Sequence, residues 1–241
     1  MTKRTVLLFV ALLLGGLSAS AQQLFHVEAS AELASGYIWR GDRVCGAQVS
    51  PSVTLHLGPV ALQSFGYLAL DGTYKEIDFD LSWTIGDFSL HFADYFYHGS
   101  VYPSPENYFN WKKGETTHIL EGIVCYEPAR LPFAVKWFTF LYGDWIPQGD
   151  GTLGRPSFSS YLEAEVYHRF QHAGKLSLFG GASVLKGSYT GYTRDFAVIH
   201  LEMRYSYDLE LGRVTLPMTA GYIMNPYARH AYLNASIGVR F

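Results

Sequence analysis

Two short spacings in this chain could carry chemistry. His98-Gly99-Ser100 sets an imidazole and a hydroxyl two residues apart, which in an extended chain puts them on one face, where the histidine could deprotonate the serine for attack on an ester. Asp78 and Asp80 repeat that spacing, and two carboxylates on one face could activate water if a histidine and acid stood opposite. The sequence offers them no evident partner, so His98 with Ser100 stays as the only catalytic alternative, a lipid ester hydrolase. The nine histidines raise the question of a metal. His91 and His98 lie along one strand, while His118, His168, His172, His200 and His230 are scattered without ligand spacing. GDGTLGRP lacks the lysine and following helix of a phosphate loop. The expectation is no catalytic site, no metal and no cofactor.

The elements that would hold these residues are strands. The chain ends AYLNASIGVRF, with Phe241, Val239, Ile237, Ala235 and Leu233 on one face and Arg240, Gly238, Ser236, Asn234 and Tyr232 on the other. A period of two is a strand with a single apolar face. The same alternation runs through IDFDLSWTIG and SYLEAEVYHRF, and through FAVIHLEMRYSYDL, where Ala197, Ile199, Leu201, Met203 and Tyr205 oppose His200, Glu202, Arg204 and Asp208. Turn signals divide the chain into about 12 such segments: 25–40, 48–57, 60–70, 77–85, 88–98, 116–127, 133–144, 157–170, 176–187, 196–208, 214–225 and 232–241. The connections alternate in length. Gly58-Pro59 and Gly86-Asp87 are tight, whereas GSVYPSPENYFNWKKGET and DWIPQGDGTLGRP are long.

Short turns on one rim and long loops on the other are the asymmetry of an outer-membrane barrel, with the short turns periplasmic. A soluble β-sandwich would also explain the strands. It explains less well the loop asymmetry and the outward aromatics Trp83, Trp137, Tyr205, Tyr222 and Phe241 near strand ends. The expected fold is therefore all-β, a transmembrane antiparallel barrel closed because every strand edge must pair in lipid. Residues 1–21, with Lys3, Arg4, an apolar run from Val6 to Leu17 and Ala19-Ser20-Ala21, read as a cleaved signal peptide, leaving 22–241 as the barrel. No later apolar stretch reaches the roughly 20 residues of a membrane helix, and a net charge of -3 argues against nucleic acid as a partner.

This places the protein in the outer membrane of a Gram-negative bacterium with both termini periplasmic. The expected partners are outer-membrane lipids and lipopolysaccharide, whose phosphates Lys112 and Lys113 could meet, and the outer-membrane assembly machinery. The strand ending in Phe241 resembles the C-terminal signal that machinery reads. Cys45 falls in the first outer loop and Cys125 near the opposite rim. An apolar band about 25 Å tall separates them, beyond the reach of a disulfide, so two free thiols are expected.

At SGYIWRG, Ser35 to Gly41, the chain resembles the first-strand motif of TorF-type porins, Ser-Asp-Tyr-x-x-Arg-Gly, with Gly36 where that family carries Asp. It also resembles outer-membrane barrels of Bacteroidota in DYFY, in YFNW followed by His118 and Glu121, and in the late Asn225-Pro226-Tyr227. The resemblance implies a porin-like barrel passing small hydrophilic solutes; a closed structural or adhesive barrel is the other non-enzymatic alternative. Alternation sends Glu28, Glu32, Arg40, Asp78, Asp80, Lys136, Glu163, Glu165, Arg169, His200, Glu202, Arg204 and Arg240 into the lumen. They would either line a pore and set ion preference, mildly toward cations, or pair with one another inside a filled barrel. The loop near 99–115, with Tyr102, Tyr108, Phe109 and Trp111, is expected to fold inward as a constriction or to rest at the lipid headgroups. Asp94 falls on the lipid-facing side by alternation, which suggests a β-bulge near FADYF.

Overall fold

The computed structural model describes residues 25–99 and 107–241. The expected signal peptide, Ser100 and Tyr102 lie outside the described residues. The strands, in chain order, are Phe25–Ala34 (β1), Tyr37–Trp39 (β2), Asp42–Cys45 (β3), Gln48–Leu57 (β4), Val60–Ala69 (β5), Tyr74–Ile85 (β6), Phe88–Gly99 (β7) and His118–Tyr126 (β8). They continue with Phe133–Tyr142 (β9), Trp145–Pro147 (β10), Leu153–Pro156 (β11), Ser160–Arg169 (β12), Lys175–Ser183 (β13), Ala197–Leu211 (β14), Val214–Asn225 (β15) and His230–Arg240 (β16). Twelve of them close into an antiparallel barrel in the order β1-β16-β15-β14-β13-β12-β9-β8-β7-β6-β5-β4. Closure is made by β1 against β16, with Ser30 opposite Arg240. Phe241 adds a backbone hydrogen bond of 2.9 Å to the Ala29 carbonyl. The remaining strands form two hairpins, β2–β3 and β10–β11, both in connections of the long-loop rim.

The alternation decides which face each side chain takes. Outward positions are apolar and bare: Leu81 is 51% exposed, Val166 54% and Leu178 50%. A continuous apolar exterior of this kind is the belt of a membrane-spanning barrel. Several fully covered polar side chains point inward, among them Asp78, Glu121, Ser177 and Ser183. Two turns of the long-loop rim use one device, Asp71-Gly72-Thr73 and Asp150-Gly151-Thr152. In each the glycine has positive φ and the Asp carboxylate accepts from the Thr backbone N–H and hydroxyl, which holds both carboxyls below the usual carboxylate range.

Register departs from regularity at two places in the wall. Leu141 is an extra residue on β9, since Leu120 faces Tyr142 while Glu121 faces Phe140. Ile199 is extra on β14, since Gly181 faces His200 while Ala182 faces Val198. A bulge turns two successive side chains to one side. Tyr142 therefore follows Leu141 outward, and Ile199 joins His200 inside, so Ile199 and Ala197 are buried with Tyr161 instead of facing lipid as their alternation suggested.

The bulge expected near FADYF is not there. Asp94 pairs regularly with Phe79 and with Leu120, and it points outward. It is covered because the chain 107–117 folds down over the outer wall. The expected first strand, 25–40, is also divided: it leaves the wall at Ala34, and the chain turns back through β2 and β3.

Candidate functional site in the barrel lumen

The β2–β3 hairpin is the element the lumen is built around. Its turn, Trp39-Arg40-Gly41-Asp42, has positive φ at both central residues, 49° at Arg40 and 85° at Gly41. This is the two-residue geometry that matches strand twist, and only the second of these positions holds the residue that adopts it without strain. The hairpin tip meets the barrel wall: a Cβ on Gly41 would lie 2.0 Å from the carbonyl oxygen of Ile199, the bulge residue of β14. Gly41→Val should therefore unseat the tip while leaving the barrel folded. Limited proteolysis would show new cleavage between residues 36 and 46, and an unchanged digest would sink this reading of the contact.

Arg40 reaches from the tip to β8. Its Nη1 and Nη2 donate to Glu121 Oε1 and Oε2 at 2.8 and 2.7 Å, the two-pronged geometry in which a guanidinium binds a carboxylate best. Glu121 also accepts from the Tyr95 hydroxyl at 2.8 Å, and Arg40 donates to the Tyr189 hydroxyl. Aromatic rings enclose the guanidinium, with its carbon 4.3 Å from the Phe138 centroid, 4.5 Å from Trp39 and 4.9 Å from Tyr161. A weakly hydrated planar cation suits such a cage. Tyr189 arrives on a 3-10 turn, Ser188–Thr190. That turn is tethered to the β9–β12 connection, where Asp144 accepts from Ser157, Ser188 and Tyr192.

On the wall beside the tip, Tyr161, Glu163, His200, Glu202 and Arg204 form a connected polar chain. The Tyr161 hydroxyl lies 2.9 Å from Glu163 and 3.0 Å from His200 Nδ1. His200 Nε2 is 3.1 Å from Glu202, and Arg204 donates twice to Glu202 at 2.6 and 2.7 Å. Lower in the lumen, His91 meets Asp80 at 2.8 Å and Lys175 meets Glu165 at 2.9 Å. Lys136 sits opposite Glu163 in the register, and Arg169 packs on Tyr167 near the short-turn rim. Between the hairpin and the opposite wall a cavity of about 330 Å³ remains, bounded by Gly36, Tyr37, Glu32, Gln48, Glu202 and Asn234.

The aromatic constriction expected from 99–115 is not in the lumen. Tyr108 hydrogen-bonds outward-facing Asp94 at 2.8 Å, and its ring lies against Phe79 and Phe96 on the exterior. Trp111 stacks on His118 at 3.7 Å, and Phe109 is 86% exposed. His118 is held at 2.7 Å by Asp94 and donates from Nε2 to the Tyr108 carbonyl at 2.7 Å. The physical reason is Asp94: an outward carboxylate cannot be left against lipid, so the segment folds over the wall to cover it. The lumen is narrowed instead by the hairpin carrying Arg40, which enters from a loop and not from a wall strand. DYFY and YFNW thus divide across the wall, with Asp94, Tyr108, Trp111 and His118 outside and Tyr95 and Glu121 inside. His98 lies on the outward face of β7 opposite Lys75.

The sequence pattern does not point to Tyr161 and Tyr189 as partners of Arg40 or to Tyr95 as a partner of Glu121, and it marks Glu121 only within a motif. A signal for the hairpin was present: Arg-Gly between the short apolar-alternating stretches YIW and DRVC reads as a two-residue turn.

No protein-family profile matches the chain, and no curated protein does. Among solved structures, the NanC porin superposes with a TM-score of 0.50 at 9% identity, covering 90% of this chain and 99% of that one. The fold is that of a porin barrel. The KdgM porin is similar with a TM-score of 0.48 at 10% identity, over 89% of this chain and 97% of its own. An outer-membrane channel from Pseudomonas putida F1 gives 0.46 at 10% identity, over 90% and 95%. At these identities the likeness concerns the path of the porin-type chain, and the lumen chemistry must be read from its own residues.

Proposed function

We propose that this protein is a porin-like channel for small hydrophilic solutes in the outer membrane of a Gram-negative bacterium, with both termini periplasmic. The observation that carries this is the cavity beside the hairpin, polar on its wall side, inside a closed barrel whose exterior is apolar. A barrel serving only as a scaffold has no need of a polar hollow beside a seated hairpin. The likeness to TorF-type porins and to Bacteroidota barrels in SGYIWRG, DYFY and YFNW supports the same reading. Outer-membrane lipids and lipopolysaccharide are the proposed surroundings of the exterior and of Lys112 and Lys113. The strand ending in Phe241 is the proposed handle for the assembly machinery. Lipid ester hydrolysis is not carried forward, because nothing beyond the three-residue spacing of His98 and Ser100 supports it.

The test is single-channel recording of the purified protein in a planar bilayer. Discrete conductance steps from folded protein are expected. A folded preparation that stays silent at all voltages would favour the closed structural barrel, a reading that the seated hairpin itself makes reasonable.

A further inference from the structure

The inward acidic and basic side chains of this barrel are segregated. Four consecutive wall strands, β1, β4, β5 and β6, direct Glu28, Glu32, Glu76, Asp78 and Asp80 inward and carry no inward lysine or arginine. The inward cations stand elsewhere: Lys136, Arg169, Lys175, Arg204 and Arg240 on β9 and β12 to β16, and Arg40 on the hairpin, whose exposed Arg43 lies over Tyr232 beside Gly36. Most of these are already matched. Arg40 is held by Glu121, Arg204 by Glu202, Lys175 by Glu165 and Arg240 by Asp208. On the acidic side, among the described residues, only Asp80 has a basic partner, His91. Glu32 accepts one hydrogen bond, from Ser236 at 3.0 Å. Asp78 is fully buried, and neither of its carboxylate oxygens has a side-chain hydrogen-bond partner among the described residues.

The cavity lies where these two halves meet. Of the charged groups around it, Glu202 and Arg204 neutralise one another, and His200 bridges Glu163 and Glu202. Glu32 is left as the cavity carboxylate without a counter-charge among the described residues. Tyr37 of the hairpin stacks on Tyr67 at 3.9 Å, so the hairpin covers part of the acidic wall and leaves the Glu32 side open to the cavity. Gln48 and Asn234 also line the cavity, their carboxamide oxygens accepting from Ser50 and Ser35.

We infer that the cavity is a cation-binding station on the path through the barrel, and that Glu32 sets its selectivity for small inorganic or ammonium-bearing cations. This rests on the channel reading above and adds the solute class. A carboxylate in a narrow, low-dielectric lumen repels anions and lowers the free energy of a partly dehydrated cation without binding it permanently, as conduction requires.

Reversal potentials across a potassium chloride gradient test it, with wild type, Glu32→Gln and Glu32→Lys compared in the same bilayer. The carboxamide oxygen introduced by Glu32→Gln can still accept from Ser236, so this substitution removes the charge and keeps the contact. The wild-type channel is expected to favour potassium over chloride several-fold. Glu32→Gln should bring the ratio toward unity, Glu32→Lys should invert it, and Asp150→Asn in the exposed β10–β11 turn should leave it unchanged. Steps that persist with the same reversal potential in Glu32→Lys, or a wild-type preference for chloride, would overturn the station and leave the channel standing. Absence of steps in folded wild-type protein would overturn both.

Discussion

Glu121→Ala should release the β2–β3 hairpin and raise single-channel conductance several-fold. Removing one partner of a buried, fully hydrogen-bonded ion pair costs about 3–5 kcal/mol, because the other charge is left without compensation. Here that charge is Arg40, 8% exposed and ringed by aromatic side chains. Those rings offset part of the loss, since a desolvated cation over a ring gains about 2 kcal/mol or more. They do not supply hydrogen-bond acceptors for the donors that Glu121 had occupied. The turn works in the same direction, for a non-glycine residue at φ 49° carries a cost of roughly 1–2 kcal/mol that withdrawal would relieve.

The wall hydrogen bonds are untouched, so the barrel stays closed while its hairpin leaves. Arg40→Met with Glu121→Leu gives the control: a buried pair exchanged for apolar packing is often neutral or stabilising, so the hairpin should remain seated and the conductance stay near that of wild type. If Glu121→Ala conducts like wild type, the pair does not gate the lumen.

The legible part of this fold was whatever depends on a period of two. Alternation with tight turns gave the strand number, the closure and the face of residues such as Leu81 and Glu163, because one face meets lipid and the other water, and a slip of one residue would exchange them. Bulges erase that signal. Ile199 looks like a lipid-facing residue until the extra position on β14 turns it inward, and nothing in its own side chain announces the change.

The site was less legible for a different reason. SGYIWRG continues the alternation of β1, and only Arg-Gly hints that the chain reverses. The contacts that bring Arg40 to Glu121 and Tyr189, 81 and 149 residues away in sequence, are set by closure of the barrel and have no local pattern. Asp94 shows the converse. Alternation sends it toward lipid and so suggests a bulge, yet it stays outward in regular register, because its cover comes from a loop that alternation does not describe.

The second large effect concerns the exterior. Leu81 and Ser82 are neighbours on β6, the first outward and 51% exposed, the second inward with its hydroxyl toward the Ala61 carbonyl. Leu81 lies within the apolar belt between Leu62 and Phe92 of the adjoining strands. Leu81→Arg should therefore destabilise the folded barrel in lipid by about 1–4 kcal/mol, the depth-dependent cost of a guanidinium on the lipid face. Ser82→Arg places the same charge one residue on, in a lumen whose nearby wall is acidic, where the guanidinium can remain hydrated and the expected change is within about 1 kcal/mol. Unfolding midpoints in urea, measured for both variants in the same lipid vesicles, give the difference directly. A soluble sandwich would tolerate arginine at an exposed position 81 as readily as at any surface site. Equal stability of the two variants would therefore count against a lipid-facing wall, whereas a large gap between adjacent residues is what a membrane on one side and water on the other must produce.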